Sequence, residues 1–312
     1  MEFRTQVPIP SWDLKIDHSS NVLLLGSCFV ENIGKKLEYH KFQTLQNPFG
    51  ILFHPAAIGS FLKAVEQGKQ FSEEDVFFHN ERWHSFEAHS AISSAGREKL
   101  LQNLNSAVQE TFEFLKNATH VIITLGTAWG YKNKASGKTV ANCHKLPQRE
   151  FEKELLEVDA QVAVCVDIIR NINPKSVVIF TVSPVRHLKD GFVENQQSKA
   201  RLILAVHRAI SHKTDTHYFP SYELMMDELR DYRFYAEDMV HPNQVAIDYI
   251  WKRFSEAYMS SETQAVMQEV EQIQRGLAHR PFDPDSKAHQ QFLENLQEKM
   301  KLLKTKYPSL EF

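Results

Sequence analysis

The sequence predicts a three-layer α/β/α sandwich built on a mostly parallel sheet. Residues 21–25, 120–125 and 176–182 are short apolar runs rich in aliphatic and β-branched side chains, and they stop at Gly26, Gly126 and Ser183. Such runs lack in/out alternation and mark strands covered on both faces, as in parallel sheets. Long helical patterns at residues 97–117, 150–171 and 195–211 separate them. Strand alternating with helix is the order that a layered α/β domain requires.

The first run passes through Gly26-Ser27 straight into a helical pattern with Phe29, Ile33, Leu37 and His40 on one face. Residues 46–97 are irregular and rich in His, Phe and Asn. They are expected to form a cap inserted after this first unit, with one helical excursion. The second and third runs end at Gly126-Thr127 and Ser183-Pro184, and a weaker strand at residues 216–219 is closed by Pro220. The last body helix spans residues 243–258 and carries Val245, Ile247, Ile250, Trp251 and Phe254, with Pro242 at its entry. From residue 260 the chain turns polar, with a break between Pro281 and Pro284. The expected division is a body of residues 1–259, cap included, and a helical C-terminal tail of residues 260–312. The tail is expected to pack on the body or to join copies into a homo-oligomer.

With 312 residues, 42% of them hydrophobic and 24% charged, the chain can bury a large core, which excludes disorder and a coiled-coil rod. A net charge of -3 gives no global reason for nucleic acid or an anionic membrane as partner. No apolar stretch reaches the ~18–20 residues of a membrane span, and residues 1–10 lack the apolar core and cleavage site of a secretory leader. Cys28, Cys143 and Cys165 are odd in number, far apart and without a CxxC pair. Neither a disulfide framework nor a zinc site is expected, and no cofactor is implied. A reduced, cytoplasmic protein is the expectation.

Ligands of parallel α/β sheets bind beyond the carboxyl ends of the strands, here at Gly26-Ser27, Gly126-Thr127 and Ser183-Pro184. Gly26-Ser27-Cys28-Phe29 sits where the first strand becomes a helix. A nucleophile at that junction is exposed at the sheet edge, and an oxyanion beside it meets the unpaired amides of the first helical turn. Gly-Ser also suits a plain turn and helix cap. The Gly-x-Ser-x-Gly elbow is absent. Asp238-Met239-Val240-His241 places a carboxylate and an imidazole three residues apart before a helix. One turn brings them together and leaves the second ring nitrogen free as a base. A thiolate is the stronger nucleophile. The residue after a strand-ending glycine, however, is expected to face the crevice and the next to turn toward the sheet. Ser27 is therefore assigned the attack and Cys28 a packing role.

The order Ser27, Asp238, His241 resembles that of the SGNH (GDSL-type) hydrolases. A narrower resemblance is to the GSCFA-domain family. It is carried by Gly26-Ser27-Cys28-Phe29-Val30, Asn47-Pro48-Phe49-Gly50, Leu125-Gly126-Thr127-Ala128-Trp129, Val140-Ala141-Asn142-Cys143-His144-Lys145, Ser183-Pro184-Val185-Arg186-His187 and residues 238–242. The resemblance implies an SGNH-like, flavodoxin-like fold and an esterase-type triad of Ser27, His241 and Asp238. The usual Gly-Asp-Ser block is Gly26-Ser27-Cys28 here, without the aspartate. The usual Gly-x-Asn-Asp block is Gly126-Thr127-Ala128-Trp129, without the asparagine that donates to the oxyanion.

Thr127 or Asn142 stands in for that donor, with the backbone N–H groups of Gly50 and Ser27 beside it. One such donor is worth roughly 3–4 kcal/mol in the transition state. Trp83, Trp129 and Tyr131 are candidates for a wall that stacks a sugar ring, and Arg186-His187 for a contact to an anionic group, with a buried structural role for Arg186 as the alternative. His84 and His89 are expected to hold the cap together or to face the site, and Cys143 and His144 to point apart. The resemblance suggests a small O-acyl ester, on a carbohydrate, as substrate. An acceptor hydroxyl in place of water would make the protein an O-acyltransferase. The departures leave open a non-catalytic binding or assembly module in which Ser27 only caps a helix.

Overall fold

The computed structural model describes residues 5–211 and 215–312, so residues 1–4, the head of the segment examined for a leader, lie outside it. β1 (Asn21–Gly26) leads into α1 (Cys28–Tyr39), and β2 (Gln43–Gln46) follows. α2 (Pro55–Glu66) precedes a hairpin of β3 (Phe77–His79) and β4 (Arg82–His84). α3 (Arg97–Asn117) returns to β5 (His120–Leu125), after which β6 (Trp129–Asn133), β7 (Thr139–Val140) and β8 (Phe151–Leu155) form a small antiparallel sheet. α4 (Val158–Ile172), β9 (Val177–Val182), α5 (Phe192–Ile210) and β10 (Thr216–Phe219) complete the alternation. The short α6 (Ser221–Glu223) and α7 (Gln244–Tyr258) close the body, and α8 (Ser261–Leu277) and α9 (Lys287–Lys306) follow.

The main sheet has the order β10-β9-β5-β1-β2, and every neighbouring pair is parallel. Counted along the chain, this is the order 2-1-3-4-5. The direction of winding reverses between β1 and β5, which opens a crevice at their carboxyl ends. All residues of β5 and β9 are buried, which is why their sequences read as unbroken apolar runs. Successive residues serve opposite cores, as the period of two demands. Leu23, Leu25, Ile123 and Phe180 pack against Ile58 and Phe61 of α2, Leu104 of α3, Val166 of α4 and Leu202 of α5. Val22, Leu24, Ile122 and Ile179 pack against Phe29, Ile33 and Leu37 of α1 and Ile250 and Phe254 of α7. Helices therefore cover both faces of the sheet.

Three elements differ from the sequence expectation. β2 reads Gln-Thr-Leu-Gln and has no apolar signature. It is a strand because the edge of β1 supplies partners, from Asn21 with Gln43 to Leu24 with Gln46. The helical excursion expected within residues 46–97 is α2, and it belongs to the core through Ile58, Phe61, Leu62 and Val65 and not to a cap. The helical reading of residues 150–171 divides: β8 pairs with β6, and the helix starts only at Val158.

α8 packs on the body. Its Met267 joins the core of α1 and α7, and the Met267 carbonyl lies 3.2 Å from His40 Nδ1. Leu296 and Leu303 of α9 pack on Val270 and Ile273 of α8. Among the described residues, no helix is long and apolar enough to cross a membrane.

Gly26 ends β1 at φ +128°, and a Cβ there would overlap the Thr124 carbonyl of β5. Gly26→Ala is expected to cost about 3 kcal/mol, from backbone strain and overlap together. The readout is a lower urea midpoint at unchanged slope. A midpoint equal to the wild type would contradict the close approach of the two strands.

Candidate active site

The carboxyl ends of β1, β5 and β9 open into a cleft of about 760 Å³. The start of α1 contributes Cys28, the loop after β5 Thr127, and the loop after β9 Val185, Arg186 and His187. The small antiparallel sheet and its connecting loop supply Trp129, Tyr131, Asn142 and Cys143, and the turn before α7 supplies Asp238 and His241. Phe53, Val140, Leu188 and Val240 add apolar wall. A mostly apolar cleft with a few convergent polar groups is the usual make-up of a small-molecule site.

Asp238 Oδ2 lies 2.6 Å from His241 Nδ1, while Oδ1 accepts from the backbone N–H groups of Val240 at 2.9 Å and His241 at 3.0 Å. A short polar side chain that bonds its own backbone two and three residues on makes a compact turn. The His241 backbone N–H, then its ring, then the Val240 N–H hold the Asp238 carboxyl down at about 2. With Nδ1 on the carboxylate, His241 Nε2 is the nitrogen left to exchange a proton.

Arg186 braces this turn from behind. Its backbone N–H donates to Val240 O at 3.1 Å and its Nη1 to Met239 O at 2.9 Å. Its guanidinium lies 5.4, 5.6 and 5.3 Å from the rings of Phe192, Tyr232 and Tyr235. Arg186 thus has a structural role in this turn and also lines the cleft.

Ser27 does not face the cleft. It is 0% exposed, its hydroxyl is buried without a partner, and its side chain makes no capping bond to α1. Its backbone N–H donates to Thr124 O at 2.9 Å and is spent. Cys28, expected to turn toward the sheet, lines the cleft instead. The cause is local: Gly26 turns the chain at positive φ, Ser27 stays extended at φ -71° and ψ 168°, and the helix starts only at Cys28. Burial and Glu31 push the Cys28 thiol up, while Lys199 and the amides of Cys28 and Phe29 pull it back in part. The resting group is the protonated thiol.

The sequence model of the GSCFA family matches residues 21–254, the stretch that holds the whole main sheet and the cleft. The chain belongs to the GSCFA family. The model of the GSCFA domain protein C-terminal domain matches residues 270–312. No curated protein matches the chain in sequence. Among solved structures, it is similar to a Clostridium thermocellum family 3 carbohydrate esterase. That match has 8% identity, covers 83% of this chain and 99% of the other, and has a TM-score of 0.36. It is also similar to an acetyl xylan esterase from the rumen bacterium Butyrivibrio proteoclasticus. There the identity is 9%, the coverage 81% of this chain and 64% of the other, and the TM-score 0.40.

The remaining expected donors of the GSCFA site are placed unequally. Gly50 N–H donates to Asn47 O at 2.7 Å, and Gly50 abuts His89 outside the cleft lining, so it is no oxyanion donor here. The Thr127 hydroxyl lies 3.1 Å from Ser198 Oγ and accepts from Trp129 N–H at 3.0 Å. Asn142 Oδ1 accepts from His144 N–H at 2.7 Å, leaving Nδ2 as the donor end of a cleft-lining side chain. Trp83 is not in the wall: it pairs with Ser94, and its ring packs on Phe78 and under Arg97. Trp129 is in the wall, its Nε1 donating to Glu194 O at 3.1 Å and its ring covered by Lys153. His84 is structural, bonded to Ser93 Oγ at 2.6 Å and His79 O at 3.0 Å.

Two site residues, His54 and Lys199, escaped the sequence reading. His54 caps α2 and reaches Val140 O at 3.1 Å, tying that helix to the cleft wall. Lys199 is 1% exposed and donates to Gly126 O at 2.8 Å and Ser183 O at 2.7 Å, joining the ends of β5 and β9. Burial pushes it down to about 7. Its signal was a lysine on the buried stripe Asn195, Ser198, Leu202 and Val206 of α5. His187 is pushed to about 3 by burial, then by Lys199 and His241, and is neutral.

His120 and His144 are likewise held at about 4 by burial. Between these values and the usual 6.5, the unfolded chain binds protons that the folded one refuses. Stability therefore rises with pH across that window. The melting temperature is expected to fall steadily from pH 7 to pH 4, each histidine contributing up to ~1.4 kcal/mol per pH unit. A flat profile would contradict the buried, neutral rings.

Proposed function

We propose that the protein hydrolyses acyl esters, with Cys28 as nucleophile and His241, oriented by Asp238, as proton carrier. One observation carries this: Cys28 and the Asp238/His241 pair line the same cleft, while Ser27 is not among its lining residues and its hydroxyl is buried without a partner. The fold that goes with this reading is SGNH-type and flavodoxin-like, supported by the strand order 2-1-3-4-5. In that register, Gly26-Ser27-Cys28 overlies the Gly-Asp-Ser block, and Cys28 falls where the block has its serine.

His241 Nε2 takes the thiol proton, and the thiolate adds to the ester carbonyl. Collapse expels the alcohol, which takes the proton from the imidazolium, and leaves an S-acyl enzyme. His241 then deprotonates a water that cleaves the thioester, releasing the acid and restoring the thiol. Asp238, held at about 2, stays ionised throughout the ordinary pH range and stabilises the imidazolium. Trp129 and Tyr131 in the wall support an O-acylated carbohydrate as substrate. A free thiol nucleophile suits the reducing cytoplasm.

Purified protein is expected to turn over a chromogenic acetate ester, and His241→Ala to lose at least about 10²-fold in rate. Hydrolysis that survives this change undiminished would be background and would favour a non-catalytic binding module.

A further inference from the structure

The register of the small antiparallel sheet sets which side chains share its faces. Tyr131 of β6 lies opposite Val140 of β7 and Lys153 of β8, and Trp129, two residues before Tyr131, is on the same face. Trp129, Tyr131 and Val140 line the cleft. Lys153 Nζ lies 4.5 Å from the centre of the Trp129 ring and 2.6 Å from Asp190 Oδ1. Asp190 belongs to the loop between β9 and α5 and lines the same cleft. Its backbone N–H donates to His187 O at 3.2 Å, which fixes the turn that carries it. Burial, then the Asp190 carboxylate, pushes the Tyr131 phenol up, so this ring too lies within the carboxylate's field. One wall of the cleft thus joins two aromatic rings to a charge-balanced ion pair.

The Asp190 side chain is 11% exposed, and among the described residues Lys153 is the cation paired with it. A carboxylate accepts up to about four hydrogen bonds and an ammonium donates three, so the pair keeps capacity for a ligand. Tyr131 beside it is 37% exposed. A ligand that suits both has a flat apolar face and a rim of hydroxyl donors, as a sugar ring has. An aromatic group would cover the rings but leave the carboxylate without a donor, which a site built for hydroxyls penalises. A small acyl group has no hydroxyl to offer either, so the pair serves the alcohol half of the ester. We infer that Asp190, held in place by Lys153, selects this half: its carboxylate accepts from hydroxyls of a sugar that lies against Tyr131 and Trp129. The inference deepens the acyl-ester reading above and rests on it.

Asp190→Asn keeps the size of the side chain and removes the charged acceptor. The probes are a methyl glucoside carrying one O-acetyl group and 4-nitrophenyl acetate, whose alcohol half has no further hydroxyl. In Asp190→Asn the KM for the acetylated glucoside is expected to rise about tenfold or more, with kcat within about threefold of the wild type. Both constants for 4-nitrophenyl acetate are expected to stay near wild type. Tyr131→Leu should raise the glucoside KM with the same selectivity. A wild-type KM for the glucoside in Asp190→Asn, or an equal rise for both esters, would overturn the role. A second measurement needs no turnover: unacylated methyl glucoside is tested for protection of Cys28 against iodoacetamide. Protection in the wild type that is lost in Asp190→Asn supports the sugar site, and if no ester is hydrolysed only the hydrolase reading fails. No protection in the wild type overturns the sugar site, even where 4-nitrophenyl acetate is turned over.

Discussion

Cys28→Ala is expected to lower ester turnover by at least about 10⁴-fold while the fold and thermal melt stay near wild type. Removing the nucleophile of a coupled triad leaves only binding and oxyanion stabilisation, so the loss is close to that of the whole machinery. Cys28 is only partly buried and stands at the first position of α1, where a smaller side chain leaves the core in place. Ser27→Ala is the internal comparison. Its hydroxyl is enclosed and unpartnered and Ser27 does not line the cleft, so its removal is expected to leave most of the turnover in place. A Cys28→Ala protein that works and a Ser27→Ala protein that does not would return the attack to the serine.

Asp238→Asn is expected to lower kcat by about 10²–10⁴-fold with little effect on stability. An asparagine keeps the oxygen that accepts from Val240 N–H and His241 N–H, so the turn survives. What changes is the atom 2.6 Å from His241 Nδ1, which no longer carries a charge and can present an N–H. The imidazole then loses both its orienting acceptor and the partner of its charged form. Because the carboxyl is held at about 2, any acid limb in the wild-type rate above about pH 4 reports a different group. Wild-type kcat in Asp238→Asn would reduce the pair to a clasp for the loop.

How legible the molecule is depends on the range of the interaction that makes each part. β1, β5 and β9 are readable because burial on both faces writes itself into consecutive residues. The Asp238/His241 contact is readable because both partners lie within one turn. β2 and β6 to β8 are not, since their pairing partners are remote and their composition is mixed. The exchange of Ser27 and Cys28 turned on one backbone dihedral at Gly26, which a residue type permits but does not dictate. Lys199 and His187 reach the site only because α5 and the loop after β9 fold over the end of β5. Each carried at most a weak local hint, a lysine on a buried stripe and a histidine after a strand.

The central claim is that the cleft acylates a cysteine, and the most direct measurement is the site of the acyl group. The protein is mixed with a chromogenic acetate ester, quenched in acid during turnover and digested, and the peptide containing both Ser27 and Cys28 is fragmented. The expected result is an acetyl group on Cys28, removed by neutral hydroxylamine as a thioester is and absent from His241→Ala. An acetyl group on Ser27 that resists hydroxylamine, or steady turnover with neither residue modified, would contradict it.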